Sequence, residues 1–145
     1  MKILITVSNY YPKISNDLLV GAKKKFLSYS EVKLKLISVP GIFEIPVIIS
    51  KNINLYDAFL SLGCVIKGET PHFDFISSAT INAIMNLSID HKKPIGNGII
   101  TCLNKKQALI RSNPKKKNKG GEAAEAVLSV LGFLKNDSKW FFQQP

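Results

Sequence analysis

Four apolar runs of strand length, Ile3–Val7, Lys33–Val39, Ala58–Ile66 and Pro94–Cys102, alternate with stretches whose apolar residues recur at helical spacing. The first helix is predicted from about Ser15 to Leu27, turning Leu18, Leu19, Ala22 and Phe26 inward. The second resumes at Glu44 and runs to about Asn52, once the chain has turned at Pro40-Gly41. A third follows Pro71 and carries Phe73, Ile76, Thr80, Ala83, Ile84 and Leu87 on its inner side. After the fourth strand come a short helix over Lys105–Ser112, a lysine-rich loop and a last helix from about Gly121 to Leu134. The last helix has one stripe of Ala124, Val127, Leu128, Leu131 and Leu134.

Strands that alternate with helices imply a parallel sheet buried on both faces. The fold class is therefore α/β: a three-layer α/β/α sandwich of flavodoxin-like type, with a four-stranded parallel sheet flanked by helices. Ligands of such folds bind beyond the carboxyl ends of the strands, so the residues that follow each strand are the informative ones.

The chain of 145 residues is long enough to bury a core without disulfides or metal, and one domain over 1–145 is expected. At 46% apolar and 21% charged it has the composition of a soluble globular protein. The apolar run at the start is shorter than a signal-peptide core or a membrane span, which makes the cytoplasm the expected location. Cys64 and Cys102 have neither CxxC spacing nor paired histidines near them, so they read as small buried residues, without zinc or a disulfide framework. The net charge of +10 would suit nucleic acid or an anionic membrane. The lysines are scattered, however, with dense runs only at Lys23–Lys25 and Lys115–Lys117, and no RNA- or DNA-binding motif accompanies them. Neither nucleic acid nor membrane is expected as a partner. Arg111 is the single arginine among 20 basic residues. It either marks a place where a planar fork must grip a carboxylate or phosphate, or arises from chance and packing.

The sharpest strand-to-helix junction is Lys67-Gly68-Glu69-Thr70-Pro71-His72. Thr70 can cap the helix and Pro71 suits its first position. Free backbone N–H groups there make an anion site, with His72 beside it as a candidate general acid or base. Glu69 and Asp74 read as capping or hydrogen-bonding groups. Behind the first strand, Tyr10 can stack on a flat heterocycle or simply pack the turn. Behind the second, Ile42-Phe43-Glu44 follows a glycine turn whose backbone can read a ring edge.

Three segments, Val39–Pro46, Gly63–Asp74 and Pro94–Thr101, together resemble the lumazine synthase family. Gln107-Ala108, Arg111 and Asn118–Ala124 complete the family pattern, in order, between about Ile3 and Leu134. The resemblance implies condensation of 5-amino-6-(D-ribitylamino)uracil with 3,4-dihydroxy-2-butanone 4-phosphate, a transferase-type step of riboflavin biosynthesis that uses no cofactor and no metal. It implies that Tyr10 stacks on the pyrimidine and that Ile42, Phe43 and Glu44 contact ring and ribityl chain, over a floor of Cys64, Val65 and Ile66. Glu69 and Thr70 would hold the phosphate, joined by Arg111 of a neighbouring subunit, and Asn97 of that neighbour would face the ring. His72 matches the family's proton-transfer histidine, while Lys115 and Glu122 fall at supporting positions. The implied assembly is a homopentamer or a multiple of it, with sites between adjacent subunits.

Lys67, Cys102 and Asn9 stand where the family commonly has Arg, Thr and Arg. The first strand begins at once, without the segment that lets many members add a strand to a neighbour, so a free pentamer or a decamer is as well supported as a closed shell. The apolar tail Trp140-Phe141-Phe142 is expected either to dock on its own or a neighbouring subunit, or to remain disordered. A module holding a flavin or nucleotide without turnover, a basic RNA-binding or scaffold protein, and the archaeal type of riboflavin synthase are the alternatives. The first two leave the ordered motifs unexplained, and the Gly-Glu-Thr-Pro-His turn favours the lumazine reading over the third.

Overall fold

The computed structural model describes residues 1–133. The elements are β1 (Lys2–Ser8), α1 (Pro12–Phe26), β2 (Lys33–Val39), a 3-10 turn (Ile42–Glu44), α2 (Ile45–Asn52), β3 (Ala58–Ile66), α3 (His72–His91), β4 (Ile95–Cys102), α4 (Lys105–Ser112) and α5 (Lys119–Leu131). The strands form one parallel sheet in the order β2-β1-β3-β4. Alternation along each strand divides the core into two layers. Ile3, Ile5, Leu60 and Leu62 face Leu18, Ala22 and Phe26 of α1 and Ala124, Val127 and Leu128 of α5. Leu4, Phe59 and Ile99 face Ile45 and Ile49 of α2 and Ile84 of α3. The α/β three-layer class read from the sequence is the class observed.

β2 and β3 have the expected limits, while several helix ends differ. α1 starts at Pro12, because proline fits the first turn, where no N–H is needed. Glu44 closes a 3-10 turn before α2, its Oε1 accepting from the Gly41 N–H at 3.1 Å. α5 starts at Lys119, behind Asn118, which adopts φ 45° and accepts from the Gly121 N–H. It ends at Leu131, where Gly132 takes the left-handed conformation at φ 90° that stops a helix. Leu134 and Trp140-Phe141-Phe142 lie outside the described residues.

The start of α3 corrects the reading of Thr70. Pro71, not Thr70, occupies the cap position, and no side chain bonds the first turn. A capping oxygen must reach the N–H two or three residues into the helix, and Thr70 lies one residue too early for that. The carbonyl of Pro71 instead accepts from Asp74 and Phe75. The N–H groups of His72 and Phe73 therefore have no helical carbonyl to bond.

Candidate functional site

The connections after β1, β2 and β3 meet at the carboxyl ends of the strands, on both sides of the point where strand order reverses between β1 and β3. They enclose a cleft of about 440 Å³. Tyr10 and Tyr11 come from behind β1, Pro40 to Glu44 from behind β2, and Cys64, Val65 and Ile66 from β3 itself. Gly68, Thr70 and His72 come from the junction with α3. A cleft with an apolar floor and a few polar groups at its rim suits a flat heterocycle with polar edges.

Tyr10 is 70% exposed and meets Tyr11 edge to face, with ring centroids 4.9 Å apart. Its ring face is free to take a planar partner. Phe43, from the segment behind β2, is 66% exposed. Gly63 lets the two walls approach: a Cβ there would lie 2.8 Å from Ile42 Cγ2 and 3.1 Å from Ser8 Cβ. Burial pushes the Cys64 thiol up to about 12, with contributions from the charge of Cys102 and a hydrogen bond to it. Both cysteines are buried and free, as small apolar residues would be, and Cys64 lies in the floor of the cleft. Burial also raises Tyr11, helped by Tyr10 and Cys64.

The sequence matches the family model for 6,7-dimethyl-8-ribityllumazine synthase over residues 1–135. Curated proteins of that name are close relatives. One from Zymomonas mobilis subsp. mobilis is 40% identical over 92% of this chain and 96% of its own. One from Methylobacterium radiotolerans is 41% identical over 90% of this chain and 80% of its own. One from Bartonella tribocorum is 42% identical over 92% and 89%. The chain belongs to the lumazine synthase family. It is thereby placed among enzymes of riboflavin biosynthesis, and the flavin-binding, RNA-binding and archaeal riboflavin synthase readings fall away.

Of the residues picked from the resemblance to lumazine synthase, Tyr10, Ile42, Phe43, Glu44, Cys64, Val65, Ile66, Thr70 and His72 line this one cleft. Glu69 sits between two lining residues, exposed, and is not itself in the lining. Asn97, Arg111, Lys115 and Glu122 lie elsewhere, on or beyond the edge strand β4. Asn97 is exposed and accepts from the Ile99 N–H at 3.1 Å. Arg111 Nη1 donates to the Thr101 carbonyl at 2.9 Å and lies 4.0 Å from Cys102 Sγ. Lys115 lines a separate groove with Lys13, Lys24 and Lys25. Glu122 pairs with Lys119 at 3.0 Å.

Ser8, Phe73 and Ile76 also line the cleft, and sequence reasoning had not placed them there. Phe73 and Ile76 belong to the inner stripe of α3, whose first turn joins the lining. Ser8 carries no signal of its own type; its position as the last residue of β1 is the only clue. Among the described residues no helix is long and apolar enough to cross a membrane, and no group of three His, Cys, Asp or Glu side chains could hold a metal ion.

Proposed function

We propose that this chain catalyses the lumazine synthase reaction, condensing 5-amino-6-(D-ribitylamino)uracil with 3,4-dihydroxy-2-butanone 4-phosphate in the cytoplasm. The observation that carries this reading is the gathering of nine family-pattern residues into one cleft at the strand ends. The amine attacks the ketone and water leaves as an imine forms. Phosphate then departs by elimination, and a second imine closes the ring with loss of another water. These steps need proton transfer at nitrogen and carbon and a cradle for phosphate. His72, at the rim, moves the protons; Tyr10 stacks on the pyrimidine over the floor of Cys64, Val65 and Ile66. Ile42, Phe43 and Glu44 contact the ring and the ribityl chain. Thr70, Glu69 and the open N–H groups at the head of α3 receive the phosphate. Much of the acceleration comes from holding two reactive molecules together, so one modest acid/base suffices.

The working unit is a homo-oligomer, a pentamer or a multiple of it, in which the β4 edge of one subunit completes the cleft of the next. Arg111 then joins the phosphate site, Asn97 faces the ring, and Lys115 and Glu122 support them. Two observations support the assembly. Asn97 and Arg111 lie at an open sheet edge and outside their own cleft. α3 also leaves Phe75, Met85 and Ile89 exposed by 70%, 57% and 65%, an apolar face that water does not favour.

The test is a coupled assay following lumazine fluorescence and phosphate release together, with a chelator present and a no-enzyme control for the spontaneous reaction. Enzyme-dependent formation of both products, unchanged by chelator, is the expected result. Folded oligomer with no rate above the control would overturn the assignment.

A further inference from the structure

Tyr10 enters the cleft from Asn9-Tyr10-Tyr11, the short connection between the end of β1 at Ser8 and the start of α1 at Pro12. Its ring is 70% exposed, so close packing does not hold it and the connection's backbone must. One buried residue grips that backbone at two points. Ser15 Oγ donates to the carbonyl of Ser8, seven residues back, and the Ser15 N–H donates to the carbonyl of Tyr11 at 2.9 Å. The two bonds span the connection from its first carbonyl to its last.

The hydroxyl bond is not one that a helix supplies. A serine inside a helix turns its hydroxyl to solvent or back to the carbonyl four residues earlier. Here that carbonyl, of Tyr11, takes the main-chain N–H, and the hydroxyl reaches past it to the strand. The Ser8 carbonyl lies beyond the last β1–β3 pair, Val7 with Leu62. Ser8 is also where the connections behind β1 and β2 meet. The Asn9 N–H donates to the Val39 carbonyl at 3.1 Å, and Ser8 Oγ lies 3.5 Å from the Pro40 carbonyl. Alanine would fit the same place in α1 and is the better helix former, so what the hydroxyl adds is the bond to Ser8.

We propose that Ser15 is a positioning residue for Tyr10: it fixes the connection that carries the ring and thereby sets affinity for the flat heterocyclic substrate. It acts through the backbone, since Ser15 is not among the residues lining the cleft. This rests on the stacking role given to Tyr10 in the proposed reaction. Without the hydroxyl, the connection keeps its bond at Asn9 and its helix start at Pro12, but Tyr10 between them must be ordered when the heterocycle binds. The butanone phosphate, held at the head of α3, does not depend on this connection.

The test uses the intact oligomer, with Kd for the diaminouracil measured by calorimetry beside KM for each substrate. Ser15→Ala should weaken the diaminouracil by about three- to tenfold, the worth of one neutral hydrogen bond, and leave KM for the butanone phosphate within about twofold. Ser15→Thr keeps the hydroxyl and should restore most of the loss. On a Tyr10→Leu background, which has no ring to place, Ser15→Ala should change the Kd no further. Where Ser15→Ala does not assemble, Ser15→Cys carries the same comparison, with a thiol that donates only weakly. An equal rise in both KM values, or full additivity with Tyr10→Leu, would overturn the proposal, because Ser15 would then support the fold at large. Binding of the diaminouracil without turnover by the unaltered protein would sink the proposed reaction, while the Kd comparison would still decide on Ser15. Absence of binding by the unaltered protein would remove both.

Discussion

The guanidinium of Arg111 donates from Nη1 to the main-chain carbonyl of Thr101 at 2.9 Å. This bond ties α4 to the end of the edge strand and aims the arginine, yet it uses only one of five N–H donors. The remaining fork is free for a phosphate, and a lysine could not both keep the tether and present a planar pair of donors. Arg111→Ala should raise KM for the butanone phosphate by about 10- to 100-fold, the worth of a charge-assisted hydrogen bond. KM for the diaminouracil and Tm should hardly move, and Arg111→Lys should recover only part of the loss. Steady-state kinetics with each substrate varied in turn provides the check; equal effects on both KM values would remove Arg111 from the phosphate site.

His72 opens α3 at the rim of the cleft and is exposed, so its removal leaves no cavity. His72→Ala should lower kcat by roughly 10²- to 10⁴-fold, the usual contribution of a positioned proton carrier. Affinity for the lumazine product, measured by calorimetry, should change less than about threefold. If turnover persists and binding is lost instead, His72 is a binding group and the proton carrier lies elsewhere.

The Cys64 thiol is raised from 9.0 to about 12 by its burial, so the folded state holds the proton more tightly than the unfolded chain does. Its contribution to stability is complete below pH 9 and drains away as pH climbs toward 12. Tyr11, raised from 10.0, acts in the same direction higher in that range. Tm measured across pH 8 to 11 should therefore fall on the alkaline side, and Cys64→Ala should flatten the fall. At pH 8 the native protein should resist iodoacetamide at Cys64. Rapid alkylation of the folded protein would contradict this.

How much of this was legible in the sequence depended on how local each signal was. Lys33 to Val39 and Ala58 to Ile66 carry apolar side chains and meet turn residues, and the strand limits followed from them directly. The cap of α3 was misplaced because Thr70 and Pro71 both suit a helix start, and only the backbone decides which of them takes the cap position. The 3-10 turn at Ile42–Glu44 depends on Glu44 reaching back to the Gly41 N–H, a bond that no spacing rule announces. The cleft residues were legible because the strand ends of an α/β sheet collect whatever follows them. Asn97 was legible only through resemblance, and Arg111 through resemblance and its standing as the single arginine, since one chain leaves both outside its own cleft.

α1 and α5 approach closely at Gly120. Gly120 faces the backbone of Leu18, and a Cβ added there would lie 2.7 Å from the Leu18 carbonyl carbon and 2.9 Å from its Cα. Those atoms belong to main chain in mid-helix, so they cannot swing aside as a side-chain end would. Gly120→Ala must push α5 away from α1 and from β4, opening the layer that holds Leu18, Ala124 and Leu128. The loss should be at least the 1–3 kcal/mol typical of overpacking, seen as a lower midpoint in urea unfolding of the assembled protein. Gly68 is the contrasting case, since nothing lies within 4 Å of a Cβ built there. Gly68→Ala should leave the urea midpoint where it is and act, if anywhere, on the cleft it lines. Equal stability of the two variants would mean that α1 and α5 lie farther apart in solution, and that the packing of α5 over β4 does not depend on a glycine at 120.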